Sequence, residues 1–154
     1  MQLTRQSLEV LCSQSVFEKI YCVTSVKDDV ACKAIAEKDK RVQLLHQLNE
    51  ADMCAVMKQC QYAIVPSSAL LIEAIACGMQ PVTCYYTQNQ YDFHSAMVAE
   101  GVHSVGLADE NFAAKLVVAV QDVQNANTSK PERLMKIISR SKENFIEQFK
   151  KRCI

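Results

Sequence analysis

Apolar positions along the chain switch between two spacings. Short runs rich in β-branched and aromatic residues, bounded by polar or turn-forming ones, predict strands over 19–25, 41–46, 62–66, 81–86 and 102–107. Between them, apolar residues recur at helical spacing and predict helices over 3–17, 29–37, 51–60, 69–77, 91–100 and 111–124. Most of the strands are apolar on both faces, which suits a parallel sheet covered on each side. Strict alternation of strand and helix then gives an α/β, doubly wound, Rossmann-like domain over 1–124, with about five mostly parallel strands. A strand before Leu3 is missing from that pattern, so the chain reads as a piece of a longer protein.

Punctuation agrees with these boundaries. The stretch Asn49-Glu50-Ala51-Asp52 supplies capping groups before a helix, and Asp109 does so for the helix through Asn111. Gly78 and Gly101 each close a helix, and Pro81 opens a strand soon after the first of them. From Asn125 to Pro131 the chain is a polar connector. A long amphipathic C-terminal helix over 129–154 follows, with Leu134, Ile137, Ile138, Phe145, Ile146 and Phe149 on roughly one face. It is expected to pack on the domain before it.

Composition narrows the function. With 49% hydrophobic residues in 154, one core is affordable without staples. Lys plus Arg and Asp plus Glu stand at 17 each and are interspersed, which argues against a nucleic-acid or membrane-surface partner. A small anion is still admissible, because helix ends can hold a phosphate without net positive charge. No apolar run approaches a membrane span and no signal peptide is visible, so a cytoplasmic protein is expected. The eight cysteines have neither Cys-x-x-Cys nor zinc-type spacing and read as small core residues. Neither a metal nor a cofactor is implied.

The stretch from Gln59 to Tyr91 carries the candidate chemistry, for Glu73 is its only formal charge. Its helix is apolar nearly all round, which predicts a buried carboxylate that needs a hydrogen bond or a ligand. One turn into the helix, the side chain tilts back toward the N-terminal end, where α/β proteins bind ligands. Pro66-Ser67-Ser68-Ala69 makes the preceding strand-to-helix turn. Its serines can cap the helix, and the amides near Ser68, Ala69 and Leu70 outline an anion site. The next strand leads to Thr87-Gln88-Asn89-Gln90, whose amide side chains both donate and accept. Taken alone, a capped helix, a polar loop and a helical glutamate are each compatible with a purely structural role; all three face one sheet edge.

The run from Ser67 to Val82, followed by Asn89-Gln90, resembles the C-terminal, nucleotide-sugar-binding half of GT-B-type enzymes. The likeness is greatest to the UDP-sugar hydrolase of pseudaminic acid biosynthesis and its spore-coat polysaccharide relatives, and spans about residues 40–107. The resemblance implies that Glu73 binds the ribose hydroxyls and that the Ser67, Ser68 and Ala69 turn meets the diphosphate. It further implies that Asn89 and Gln90 lie near phosphate and sugar, and the loop after His46 near the uracil. The implied ligand is a UDP-sugar, and the implied reaction is hydrolysis or glycosyl transfer. Catalysis is expected from a missing N-terminal GT-B domain, so no catalytic residue is assigned. Ser-Ser-Ala replaces the glycine common in the family's turn, and the glycine-rich loop after the first strand is absent. None of His46, His94 or His103 sits in a matching motif, and His94 is expected at the surface or partly buried. The alternative is a non-catalytic α/β interaction module derived from that fold. A phosphoacceptor receiver domain is excluded, since no strand ends in a lone aspartate.

Overall fold

The computed structural model describes residues 2–24, 30–125, 134–136, 138 and 140. Helices and strands alternate as α1 (Gln2–Ser13), β1 (Ile20–Thr24), α2 (Val30–Lys38), β2 (Val42–His46), α3 (Glu50–Gln59) and β3 (Tyr62–Pro66). They continue as α4 (Ala69–Ala76), β4 (Gln80–Tyr85), a 3-10 turn (Gln88–Gln90), α5 (Tyr91–Ala99), β5 (His103–Leu107) and α6 (Phe112–Asn125). All described strand pairs are parallel. The expected α/β, Rossmann-like fold is therefore present, and each strand lies within a residue or two of its expected bounds.

The five described strands divide into two ladders. β1 pairs with β2, from Ile20 opposite Val42 to Thr24 opposite His46, and β3-β4-β5 form the other. Side chains bridge the seam: the Phe17 and Tyr62 rings meet edge to face at 6.1 Å, and the Tyr21 hydroxyl bonds Gln59 Oε1 at 3.1 Å. β4 lies between β3 and β5 with Pro81 to Cys84 all buried, as a central strand requires.

Three apolar clusters cover these ladders. One face of β3-β4-β5 packs Val82, Cys84 and Val105 against Phe112, Leu116, Val120 and Val123 of α6, with Val10 of α1. The opposite side buries Val65 with Met57 of α3 and Leu71, Ala74 and Ile75 of α4. Leu134, Met135 and Ile138 join this second cluster; the rest of the expected 129–154 helix lies outside the described residues. Around β1-β2, Ile20, Cys22 and Val42 pack with Cys32 of α2 and Leu8 of α1. α1 thus reaches both ladders, through Leu8 on one side and Val10 on the other.

α1 stops at Ser13 and does not run to Phe17 as its spacing predicts. Arg41 accounts for the stop. Its guanidinium donates to the carbonyls of Cys12 and Gln14, each at 2.7 Å, and of Phe17 at 3.0 Å. The Cys12 carbonyl is one of those a helix end leaves without partners, and the Gln14 and Phe17 carbonyls belong to the turn that follows. Asp39 holds the guanidinium from the other side at 2.6 Å, and this pairing keeps the Asp39 carboxyl well below its ordinary range.

Other boundaries follow the expected punctuation. Asn49 accepts from Asp52 N at 2.8 Å, capping α3. Gly78 and Gly101 take φ of 83° and 90° after α4 and α5, a region that side chains disfavour. No disulfide joins the described cysteines; Cys22, Cys32 and Cys84 are buried, and burial pushes the Cys84 thiol up to about 11.

Candidate functional site

In parallel ladders every strand ends at the same edge. The turn 66–69 after β3 and the loop 86–90 after β4 therefore leave side by side, because β3 and β4 are neighbours with Pro66 opposite Cys84. All six residues singled out from the sequence lie on these two connections or on α4.

Glu73 is exposed, which corrects the expectation of burial. The buried stripe of α4 is Leu71, Ala74 and Ile75; Ala69, Glu73 and Ala76 form the outward stripe. Two of those three outward residues are alanine, which costs little to expose, so an all-apolar helix need not be buried all round. Among the described residues no hydrogen bond or ion pair engages the Glu73 carboxylate. One turn above it on the same stripe is Ala69, the first residue of α4.

The start of α4 differs from its sequence reading in one respect. Ser68 occupies the N-cap position, yet no side chain caps the helix. Leu71 N bonds Ser68 O at 3.0 Å, leaving the Ser68, Ala69 and Leu70 amides as the donors that a helix start presents. Ser68 is half-buried and Ala69 is exposed, so these amides lie near the surface.

Ser67 is set beneath the turn. It is 2% exposed, and its N–H donates to Cys84 O at 2.7 Å. Its hydroxyl lies 3.0 Å from Thr83 Oγ1 and 2.8 Å from His94 Nδ1. The proton positions in this chain of bonds follow by counting donors. Thr83 Oγ1 donates to Val65 O at 3.0 Å, since a carbonyl can only accept. Thr83 has no second proton, so it accepts from Ser67. Ser67, its own proton spent, accepts from His94 Nδ1–H. On the far side of the ring, Ser104 Oγ lies 2.9 Å from Nε2 and accepts from Gly106 N at 2.7 Å. A neutral ring protonated at Nδ1 leaves Nε2 to accept from Ser104, and every member is satisfied. Burial holds His94 below its ordinary 6.5 and so favours that neutral ring.

The sequence reading missed this assembly. His94 is buried at 6% exposure, where a surface or partly buried residue was expected. The available signal was Thr83, a hydroxyl inside a strand otherwise apolar on both faces. A β-bulge in β5 completes the arrangement: Thr83 pairs with Ser104 and Cys84 with Gly106, and Gly106 takes φ of 71°.

On the neighbouring loop, Asn89 is exposed and accepts from Thr87 Oγ1 through its Oδ1. Gln90 Oε1 accepts from Tyr86 N at 3.0 Å. Both carbonyl ends are thereby occupied within the loop, and among the described residues neither NH2 end has a hydrogen-bond partner. At the end of β2, His46 is half-buried, its Nδ1 has no partner among the described residues, and Gln47 after it adopts φ of 52°. A shallow depression lined by Lys33, Ala36, Glu37 and Leu44 lies between α2 and β2, and none of the expected residues borders it. Among the described residues no group of three or more His, Cys, Asp or Glu could hold a metal, and no helix is long and apolar enough to cross a membrane.

The chain matches no known protein family and no curated protein. It does match the solved structure described as the basis for EarP-mediated arginine glycosylation of translation elongation factor EF-P. That match has a TM-score of 0.55 at 13% identity and covers 97% of this chain and 57% of the other. At such identity the likeness is one of fold, and it supports a GT-B-like, Rossmann-type architecture. The chain spans little more than half the length of that structure.

Proposed function

We propose that this chain is the UDP-sugar-binding half of a nucleotide-sugar hydrolase or glycosyltransferase of polysaccharide or nonulosonic acid biosynthesis, acting with an N-terminal GT-B domain that supplies catalysis. One observation carries the proposal: among the described residues nothing engages the Glu73 carboxylate, which stands one turn from the amides that begin α4. A carboxylate accepts from the two hydroxyls of a ribose, whereas orphan amides at a helix start donate to a diphosphate. A nucleoside diphosphate joins those two groups through one short linkage. The NH2 ends of Asn89 and Gln90, on the adjacent loop, suit phosphate oxygens and sugar hydroxyls. Ser67 serves the same site from below by holding the turn. The comparison with EarP supports the fold on which this reading rests and is silent on substrate.

A second reading, a non-catalytic interaction module on the same fold, draws on the exposed apolar residues at this edge. Tyr86, Tyr91 and Leu107 are 52%, 44% and 45% exposed. Titration calorimetry with UDP separates the two. The chain is expected to bind UDP without turning over a UDP-sugar, and Glu73→Ala to weaken binding roughly 10- to 100-fold, the loss of charge-assisted bonds worth about 1.5–3 kcal/mol. Equal binding by both proteins removes Glu73 from the site. No binding by the unsubstituted chain leaves the interaction module.

A further inference from the structure

Among the described residues four polar side chains are buried, and three of them, Ser67, Thr83 and His94, belong to one line of hydrogen bonds. Buried polar groups are costly unless satisfied, so a fully satisfied line through four elements fixes their relative placement. This line runs from Thr83 of β4, bonded to Val65 O of β3, through Ser67 of the β3–α4 turn to His94 of α5 and Ser104 of β5. Ser67 is its middle member, and the residues after it carry the amides that begin α4.

The turn has little else to hold it. It contains no glycine, and neither serine caps the helix. Ser67 is tied by one backbone bond to Cys84 O at 2.7 Å and by its hydroxyl to Thr83 and His94. His94 in turn stands one helical turn into α5, directly after Asn89 and Gln90. Its ring packs on Tyr85 at 4.8 Å, and Tyr85 packs on Tyr91 at 5.5 Å. The same imidazole therefore fixes the turn through Nδ1 and the Asn89-Gln90 loop through its helix.

We propose that His94 is a positioning residue for the diphosphate: it touches no ligand itself but sets the spacing between the α4 amides and the Asn89-Gln90 amides that receive the phosphates. This rests on the nucleotide-sugar reading above and names a part of that site its resemblance does not supply. The geometry asks one thing of position 94, an N–H donor aimed at Ser67 Oγ. Asparagine can offer such a donor near the place of Nδ1, while leucine fills comparable space without one.

Calorimetry on the whole chain with UDP and with uridine tests the assignment. His94→Leu is expected to weaken UDP roughly tenfold while leaving uridine unchanged, since only the phosphate donors are displaced. His94→Asn is expected to recover most of the lost UDP affinity. Ser67→Ala removes the partner in the turn and is expected to reproduce the selective loss, so it carries the test should the leucine variant not fold. An unchanged ratio of UDP to uridine affinity in His94→Leu and Ser67→Ala overturns the proposal, as does an equal loss of both ligands. If the unsubstituted chain fails to bind UDP, the nucleotide-sugar reading falls and takes this inference with it.

Discussion

The proton order deduced beneath the β3–α4 turn can be tested without any ligand. Thr83→Val keeps the shape of a residue that is 0% exposed and removes two bonds, the donor to Val65 O and the acceptor for Ser67. It also leaves the Ser67 hydroxyl with a proton and no acceptor. Two bonds at about 1 kcal/mol each, plus part of the penalty for an orphaned buried hydroxyl, give a loss of about 2–4 kcal/mol. Ser67→Ala strands the Nδ1–H of His94 and is expected to cost about 2–3 kcal/mol. In the double variant, the hydroxyl that Thr83→Val would strand no longer exists, and the Ser67–Thr83 bond is lost only once. The double loss should therefore fall short of the sum by about 1–2 kcal/mol. Urea unfolding of the four proteins at neutral pH measures this, followed by far-ultraviolet circular dichroism because the chain has no tryptophan. Losses that add to within about 0.5 kcal/mol would refute the directed chain of bonds.

Two further outcomes are expected. Leu71→Ala, at a fully buried position of α4, should cost about 3–4 kcal/mol by urea unfolding, whereas Glu73→Ala on the outward stripe should change stability by less than about 0.5 kcal/mol. A large loss from Glu73→Ala would mean that the carboxylate has a structural partner. The melting temperature should also depend on pH through His94, whose ring contacts Tyr85 and two serine hydroxyls and is held below 6.5 by burial. As pH falls below 6.5 the unfolded chain takes up this proton before the folded one, so this contribution is complete above that value, is lost toward the native pKa and then levels off. His94→Asn should flatten that slope, and parallel curves for the two proteins would contradict it.

The elements were legible because each rests on local chemistry. Gly78 and Gly101 close their helices with positive φ, and Asn49 caps α3, all readable from residue type and spacing. What escaped depends on partners distant in sequence. α1 ends where Arg41, 29 residues beyond Cys12, bonds the Cys12 carbonyl and those of the turn after it. His94 is buried because Ser67 lies 27 residues before it and Ser104 ten residues after. Glu73 was misjudged for a different reason: alanines count as apolar in a helical pattern yet sit comfortably in water. The residues proposed for recognition could be singled out by type, whereas the support beneath them could only be seen once the strands were assembled.

α1 rests on both ladders, and its seat on the second is α6. During synthesis α1 leaves the ribosome well before residues 112–125, so Val10 waits uncovered while five strands are made. The first ladder can close early over Leu8, but the clasp across the seam cannot engage until α6 emerges. Completion of the domain is in this way tied to its last described full helix, and a nascent chain stalled before it would display an apolar stripe open to chaperones.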